Sequence, residues 1–445
     1  MSSPSPGRSP RERRSLVPSF LRDDPLWSHT DFMRLWSGRA GSQLGSQLSL
    51  VAIPLYAVLS LGASPLEMGI LGAAAGIPRL LVGFFAGAWV DRHRRKPVMV
   101  VTNLAQALAV ATIPIAALLD MTSFALLVAV EVVIGLLQVF FQTAWVPYMP
   151  GLVGRKLLPS ANSRILSSNS VAQVAGPSLA GSLVGAIGGP ATIAINALTY
   201  LWSGLRIARI SYQEPAARPH AEHGPMMREI RQGIDVVVRS PLLRALAGSH
   251  ATIVLAGWAF LAVYPLYMLN ELDLSARGVG FIYAAGGVGG LLGSLITTAV
   301  IRALGTGPTI VWSAVLFGAF GLTIPMAVLA PDYALPLVLF AEFAQWMMLV
   351  IFEITEGTLR QAVTPDRLLG RVAASDMVLV TGLQPIGAFI GGALGEAIGV
   401  QPALLIGVAG MFFAGAWVWW SPVREIDEMP TEPDEAMGTL GTATA

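Results

Sequence analysis

The chain has 445 residues, of which 54% are hydrophobic and 12% are charged, with a formal net charge of +1 and no cysteine. Soluble domains carry about 25% charged residues, so this composition excludes an ordinary soluble protein and indicates an integral membrane protein. The lack of cysteine excludes disulfide bonds and thiolate metal sites.

The first 31 residues are polar and rich in proline and arginine. Arg13 and Arg14 are compatible with a twin-arginine export signal. Such a signal needs an apolar segment after the arginines, but here the chain continues with Arg22, Asp23 and Asp24. We therefore expect a disordered cytoplasmic tail over 1–31.

Twelve apolar runs follow the tail, each close to the roughly 20 residues that cross about 30 Å of hydrocarbon as a helix. Strands of a membrane barrel would instead give alternating segments of about 10 residues. Six runs lie on each side of a polar break, which predicts an all-α integral membrane fold with twelve transmembrane helices in two six-helix bundles. The runs, numbered in chain order, lie near 35–60, 66–90, 97–119, 122–147, 162–187, 190–208, 243–269, 277–301, 309–329, 333–358, 372–398 and 401–420.

The basic residues lie almost entirely on one side of this predicted topology. They fall in the loops after runs 2, 4, 6, 8 and 10, whereas the intervening loops carry none except Arg277 at the edge of one. Cations in short loops are retained in the cytoplasm, so both termini are expected there. The predicted organisation is a cytoplasmic tail (1–31), an N-terminal bundle (32–208), a cytoplasmic linker (209–241), a C-terminal bundle (242–421) and a second cytoplasmic tail (422–445).

The second part of the linker, residues 226–239, places apolar side chains at helical spacing opposite charged ones. We expect a short amphipathic helix on the inner membrane surface, with its apolar side toward lipid or toward a bundle. A binding site for a regulatory partner is the alternative interpretation of this segment.

Polar side chains inside the predicted membrane recur on runs 1, 4, 7 and 10. Glu131 and Glu342 each fall about eight residues, roughly 12 Å, from the outer end of their run, toward the middle of the bilayer. A charged acid facing lipid costs about 2.5–3.5 kcal/mol, so we expect both to face an aqueous cavity lined by these four helices. The further candidates for the cavity and for proton coupling are Arg39, Gln43, Gln138, Gln142, His250 and Gln345.

These groups also have structural interpretations. Glu131 can pair with Arg39 or Arg79, and a single histidine on an apolar face, such as His250, is more often only hydrogen-bonded. Burial favours the neutral form of a carboxylic acid, so acids at this depth are suited to reversible protonation near neutral pH. Further charged groups, expected near the inner surface and able to form ion pairs with one another, are Glu353, Glu356, Arg360, Arg371 and Asp376.

Glycines recur at three- or four-residue spacing on runs 2, 5, 8 and 11, which allows helix backbones to approach closely in lipid. The period of three runs indicates a three-helix unit used four times, as in transporters built from nested inverted repeats. These glycines are Gly83, Gly87, Gly176, Gly181, Gly185, Gly286, Gly289, Gly290, Gly293, Gly387, Gly391 and Gly395.

Two competing classes lack their sequence signatures. A phosphate loop of an ATP-driven pump needs a lysine followed by serine or threonine, whereas Lys96 and Lys156 are followed by proline and leucine. The chain has neither His-Glu-x-x-His nor Gly-x-Ser-x-Gly, and its five histidines are scattered. We therefore expect no enzymatic activity, no metal site and no cofactor.

Two motifs resemble those of a known family. The stretch GAWVDRHRRKP is similar to the signature hairpin of the major facilitator superfamily, with Arg94 in place of the usual glycine. The stretch AQVAGPSLAGSLVG on run 5 resembles the antiporter motif of the same superfamily, and looser matches over about 32–421 point to the branch of macrolide-efflux and enterobactin-exporter proteins. The matching positions are Gly87, Asp91, Arg92, Arg95 and Lys96 in the hairpin, and Gly176, Pro177 and Gly181 on run 5.

The resemblance implies a secondary transporter that exports an amphipathic or hydrophobic small molecule, such as a drug, macrolide, siderophore or natural product, by alternating access with proton antiport. It also implies a monomer among the lipids of a bacterial cytoplasmic membrane, with no nucleic-acid partner. In the outward-facing state of such proteins the hairpin joins the two bundles, which would bring Asp91 to the start of run 11 near 370–373. Import of a small solute, or a receptor or scaffold without transport, stays open.

Overall fold

The computed structural model describes residues 25–214 and 226–430. Within these two ranges every regular element is a helix. The expectations for Arg13 and Arg14, for most of the N-terminal tail and for the C-terminal tail from 431 concern residues outside the described ranges.

The long helices follow the predicted runs. Runs 1 to 6 correspond to α1–α6, the amphipathic segment to α7, and runs 7 to 12 to α8–α13. The bounds are α1 (Thr30–Leu61), α2 (Pro65–Val90), α3 (Arg95–Leu118), α4 (Phe124–Val153), α5 (Leu158–Ile187), α6 (Gly189–Ala208), α7 (Met226–Arg239), α8 (Pro241–Leu266), α9 (Ala276–Leu304), α10 (Thr306–Leu322), α11 (Ala334–Val363), α12 (Asp366–Ile398) and α13 (Val400–Trp419).

Eleven helices of the described chain are long and apolar enough to cross a membrane. The all-helical, multi-pass membrane class expected from the sequence is therefore confirmed. The helix α6 has 20 residues but is more polar, because it contains Asn196 and Arg206. Asn196 is buried and donates a hydrogen bond of 2.7 Å to the Ser49 hydroxyl of α1. This polar side of α6 therefore packs on a neighbouring helix.

Serine side chains begin several of the helices. Before α2, the Ser64 hydroxyl accepts a hydrogen bond from the Glu67 amide at 3.3 Å, and the Glu67 carboxylate accepts one from the Ser64 amide at 2.8 Å. The hydroxyls of Ser123 and Ser275 likewise accept a hydrogen bond from a backbone amide in the first turn of α4 and of α9. The caps satisfy backbone donors that a helix start leaves free, and so define where these helices begin.

The two ends of the helix bundle differ in how closely the helices pack. The near side carries the start of α1, the hairpin between α2 and α3, and α7, whereas the far side carries the ends of α1 and α12. On the far side the bundles are in close contact through α2 with α12 and α5 with α9. A Cβ placed on Gly69 would lie 2.7 Å from the Cα of Gly392, and one placed on Gly181 would lie 2.5 Å from the Cα of Gly280. Only glycine permits backbones this close.

On the near side the structure shows open space at three glycines of α2 and α12. A Cβ built on Gly83, Gly87 or Gly370 would have no neighbouring atom within 4 Å. The near half of the N-terminal bundle has its own hydrophobic cluster, which includes Phe32 and Tyr148 and draws its members from that bundle and from the segments directly before and after it. The close approach expected from the glycine spacing is thus found on the far halves of the helices, and Gly83 and Gly87 take no part in it in this structure.

The amphipathic helix α7 has the predicted bounds and packs on the near end of α12. A Cβ on Gly233 would collide with the carbonyl oxygen of Arg371 and the hydroxyl of Ser375. Val236 and Val237 pack against the core, whereas Ile234 and Val238 are exposed. Part of the apolar side of α7 therefore packs on the C-terminal bundle. The remaining apolar surface is exposed and is available to contact lipid.

Candidate functional site

Glu131 lies on α4 and is only partly buried. Its carboxylate forms no hydrogen bond or ion pair with the residues that the structure describes, so the pairing with Arg39 or Arg79 that the sequence allowed is not present. On the neighbouring α6, the Tyr200 hydroxyl lies 2.9 Å from that of Ser46 on α1. Glu131 is therefore an acid on α4 without a counterion among the described residues.

Glu342, at the corresponding position of α11, has a different environment. It is only 2% exposed. One carboxylate oxygen accepts a hydrogen bond of 2.9 Å from the Tyr264 hydroxyl of α8, and the other accepts one of 2.8 Å from the Trp346 indole N–H. Gly286 of α9 makes room for this group, because a Cβ there would lie 2.6 Å from Trp346. Glu342 is thus enclosed within the C-terminal bundle, where the sequence predicted an open cavity.

The predicted glutamines have different roles. Gln345 is buried, and its amide approaches the Phe317 carbonyl at 3.4 Å and the Met411 sulfur at 3.7 Å, so it lies between α10 and α13. Gln142 accepts a hydrogen bond of 2.6 Å from the Trp145 indole N–H on α4. Gln43 and Gln138 are partly buried and make no side-chain hydrogen bond within the described ranges.

Arg39 is the buried cation of α1. It is 8% exposed, and its guanidinium carbon lies 3.8 Å from the centre of the Trp145 ring. Its Nε is completely buried without a hydrogen-bond partner. No hydrogen bond or ion pair joins its guanidinium to any part of the chain that the structure describes.

His250 of α8 belongs to a charged network on the near half of the C-terminal bundle. Its Nδ1 lies 3.4 Å from the carboxylate of Asp376 on α12, which also forms an ion pair with Arg360 of α11. Arg360 in turn lies 3.7 Å from Glu356, one turn earlier on the same helix. The sequence predicted ion pairs of Arg360 with acids such as Glu356 and Asp376, but not the contact of His250 with Asp376. The i, i+4 spacing of Glu356 and Arg360 is the feature of the sequence that indicates an ion pair here, and no comparable spacing connects His250 to it.

The hairpin between α2 and α3 forms without the usual glycine. Arg94 has φ −67° and ψ 128°, which any residue adopts, so the substitution does not disturb the turn. Asp91 is exposed, and its nearest charged partner is Arg95 at 3.7 Å. Arg95 also pairs with Glu214 at 3.0 Å, and Lys96 donates to the Ile210 carbonyl at 2.6 Å. These two cations therefore hold the start of the linker, while the exposed Arg92 is directed to solvent.

The run-5 motif lies at helix contacts of α5. Gly176 packs against the side chain of Gln47 on α1, and Gly181 against Gly280 of α9. The carbonyl oxygen of Pro177 lies 3.0 Å from where a Cβ of Gly280 would be. Gly176 thus serves packing within the bundle, and Pro177 and Gly181 serve the far-side contact between bundles.

A cavity of about 1200 Å³ opens between the near halves of α1 and α5. One wall carries the tryptophans Trp27 and Trp36, and the other carries hydroxyl groups including those of Ser163 and Ser167. Arg164 of α5 also lines it, with its guanidinium 4.1 Å from the Trp27 ring centre. We call this cavity the near-side groove. Its mixture of indole rings and hydroxyl groups suits an amphipathic molecule.

Residues 24–440 match the model of the transmembrane secretion effector family. The chain belongs to this family of the major facilitator superfamily. It is a multi-pass membrane transporter by family, and small molecules are the substrates that such transporters carry.

Two curated relatives of this transporter are named for efflux. The multidrug efflux pump Tap of Mycolicibacterium fortuitum is 27% identical over 390 residues, which cover 83% of this chain and 92% of Tap. The enterobactin exporter EntS of Escherichia coli O1:K1 / APEC is 26% identical over 383 residues, covering 84% of this chain and 87% of EntS. The crystal structure of a bacterial homologue of the iron transporter ferroportin, in its inward-facing state, has the same fold. It gives a TM-score of 0.72 at 18% identity, over 90% of this chain and 99% of that one.

Proposed function

We propose that this transporter is a secondary exporter that moves an amphipathic or hydrophobic small molecule out of the cytoplasm by alternating access. The observation that carries the proposal is the difference between the two sides: glycine contacts close the far side, while the near side is open and presents a groove of tryptophan and serine side chains. The efflux functions named for Tap and EntS support the outward direction.

The proposed topology has twelve spans with both termini in the cytoplasm of a bacterial cell. It includes α6 as a span, because the polar side chain of Asn196 is bonded to α1 and need not face lipid. The near side, which carries most of the basic loops, is then cytoplasmic. The conformation described is inward-facing, the state in which an exporter takes up its substrate. The proposed bundles are 32–208 and 242–421, acting as a monomer.

Proton antiport is the proposed energy source. Glu131 and Glu342 are acids within the membrane, one without a counterion and one held by two neutral donors. The network around His250 provides a third place where a proton can bind. Proton binding at such groups changes the charge of a packed interior, and that change can favour one of two bundle arrangements.

The hairpin is proposed to join the bundles when the near side closes. In the open state Asp91 is free of the C-terminal bundle, and the space around Gly87 and Gly370 is empty. Closure would bring Asp91 to the start of α12, where backbone N–H groups favour an anion. The exposed Arg92 would approach the same end of the bundle, or anionic lipid head groups.

The proposal is tested by uptake into inside-out vesicles from cells that express the chain. The panel contains a labelled macrolide, a catecholate siderophore, a lipophilic cation and an amphipathic organic anion. Accumulation that a protonophore abolishes is the expected result. Accumulation by energised intact cells instead would show an importer, and the absence of flux for every compound in both systems would favour a receptor or scaffold.

The orientation is tested separately in this cysteine-free chain. Met121, in the far-side loop between α3 and α4, is 72% exposed. Lys156, after α4, is exposed on the near side. A cysteine at position 121 should react with an impermeant maleimide added to intact cells, and one at position 156 should react only after the membrane is opened. The opposite labelling would reverse the topology and with it the assigned direction.

A further inference from the structure

A buried charge normally has a partner, because taking an ion out of water is costly without one. Arg39 is an exception: only 8% of its surface is exposed, and no acid of the described residues forms an ion pair with it. Its contact with the Trp145 ring is weaker than an ion pair and leaves the N–H groups at the edge of the guanidinium without acceptors.

No acid described in the N-terminal bundle is free to approach Arg39. Asp31 is bound to Arg34 and to the amides of Ser211 and Tyr212. Glu67 caps α2, and Glu214 pairs with Arg95. Glu131 comes fourteen residues before Trp145 on α4, which is about 21 Å along the helix. Asp91 and Asp120 lie in exposed loops.

The C-terminal bundle has an acid at the helix position where the N-terminal bundle has none. Glu356 comes fourteen residues after Glu342, just as Trp145 comes fourteen residues after Glu131. At this depth the C-terminal bundle therefore provides acids, Glu356 and Asp376, to balance its cations. In the N-terminal bundle the equivalent position holds an indole, and the cation of α1 has no internal acid to neutralise it.

We propose that Arg39, Trp145 and Gln142 form a subsite for an anionic group of the exported molecule. This deepens the proposed function and rests on it. A carboxylate, sulfonate or phosphate would accept hydrogen bonds from the guanidinium edge. The Gln142 oxygen is occupied by the Trp145 N–H, which leaves its amide N–H groups able to donate to the same anion.

The near-side groove would hold the apolar body of that molecule. Trp36 and Ala40 of α1 line the groove, and so does one cation, Arg164, whereas Arg39 and Trp145 are not among its lining residues. The described lining contains no acid. The substrate class that this arrangement favours is an amphipathic organic acid, and a lipophilic cation is disfavoured because the buried charge of Arg39 would repel it.

The test compares two fluorescent probes that differ by a single charged group. Anilinonaphthalene sulfonate is an amphipathic anion, and phenylnaphthylamine has the same aromatic skeleton without the sulfonate. Binding of each to the full chain in lipid nanodiscs is measured against empty nanodiscs, for wild type, Arg39→Gln and Arg39→Lys. Arg206→Gln is the matched control, since Arg206 also lies over a tryptophan, Trp202, but has a hydrogen-bond partner in Ser37.

Arg39→Gln should weaken binding of the sulfonate about tenfold or more and change that of the uncharged probe by less than about twofold, because only the sulfonate loses a charged hydrogen bond. Arg39→Lys should retain an intermediate affinity, and Arg206→Gln should resemble wild type. The proposal would be overturned if wild type did not bind the sulfonate, or if Arg39→Gln affected both probes equally. Binding requires no transport, so this result is independent of the vesicle experiment.

Thermal unfolding provides a second, ligand-free measurement. If Arg39 serves an absent anion, Arg39→Gln should unfold at the same or a higher temperature than wild type, because it removes an unpaired buried charge. The sulfonate should stabilise wild type and not the variant. A lower unfolding temperature for Arg39→Gln, with stabilisation by the sulfonate retained, would assign Arg39 a packing role and contradict the proposal.

Discussion

The hydroxyl of Tyr264 donates a hydrogen bond of 2.9 Å to Glu342 and thereby joins α8 to α11 in the interior of the C-terminal bundle. The other carboxylate oxygen is held by Trp346 on the same helix as the acid. The properties of the acid are therefore set by helix packing, and a change in the position of α8 relative to α11 would alter them.

Tyr264→Phe should destabilise the protein by about 1–3 kcal/mol, because it leaves one oxygen of the buried Glu342 carboxyl group without its hydrogen-bond partner. Tyr283→Phe is the matched control, because Tyr283 lies 6.0 Å from the Tyr264 ring and does not bond to Glu342. The measurement is thermal unfolding of Tyr264→Phe, Glu342→Gln and the double variant. Additive effects in this cycle would show that the hydrogen bond does not couple the two residues.

Gly181→Val should open the far side, since its Cβ would lie 2.5 Å from the Ala276 carbonyl oxygen and the Gly280 Cα. Gly185→Val is the control one turn away, because the nearest atom to its Cβ is 4.0 Å distant. Spin labels on cysteines at Met121 and Tyr333, both exposed on the far side, report the separation of the bundles. The distance should lengthen for Gly181→Val alone. An unchanged distance would mean that this contact does not hold the far side closed.

The sequence predicted the helix positions well, because run length and the distribution of arginine depend on local composition. The depth of Glu342 also followed from its position on one run. Its environment could not be predicted, since Tyr264 lies 78 residues away and meets it only through packing. The isolation of Arg39 was missed for the same reason. The spacing of polar residues shows which helix faces carry them, but not whether two such faces are in contact.

Asp376→Asn should lower the unfolding temperature strongly, because it leaves Arg360 without its closest acid inside the bundle. The two side chains are 20% and 16% exposed and Glu356 remains beside Arg360, so we expect a loss of about 1–3 kcal/mol, whereas an exposed pair contributes about 0–1 kcal/mol. Glu425→Gln is the control, since its pair with Arg424 is exposed. Thermal unfolding of the two variants is compared under the same conditions. Equal effects would show that the network around His250 is solvated and has little effect on stability.

Asp91→Asn should reduce transport without reducing stability. In this structure Asp91 is exposed and 3.7 Å from Arg95, an interaction that contributes little. In the closed near side its charge would meet the start of α12, so the variant should slow or prevent that closure. The measurements are the initial uptake rate in inside-out vesicles and the near-side distance between spin labels on cysteines at Lys156 and Arg302.

Arg94→Gln is the control for the hairpin, because Arg94 is exposed and begins α3 without a side-chain cap. It should transport at the wild-type rate and show the wild-type distribution of distances. Asp91→Asn should show fewer short near-side distances, about tenfold fewer if one charged hydrogen bond is lost. Wild-type uptake and distances in Asp91→Asn would show that the hairpin carries its charge for topology alone and takes no part in closing the near side.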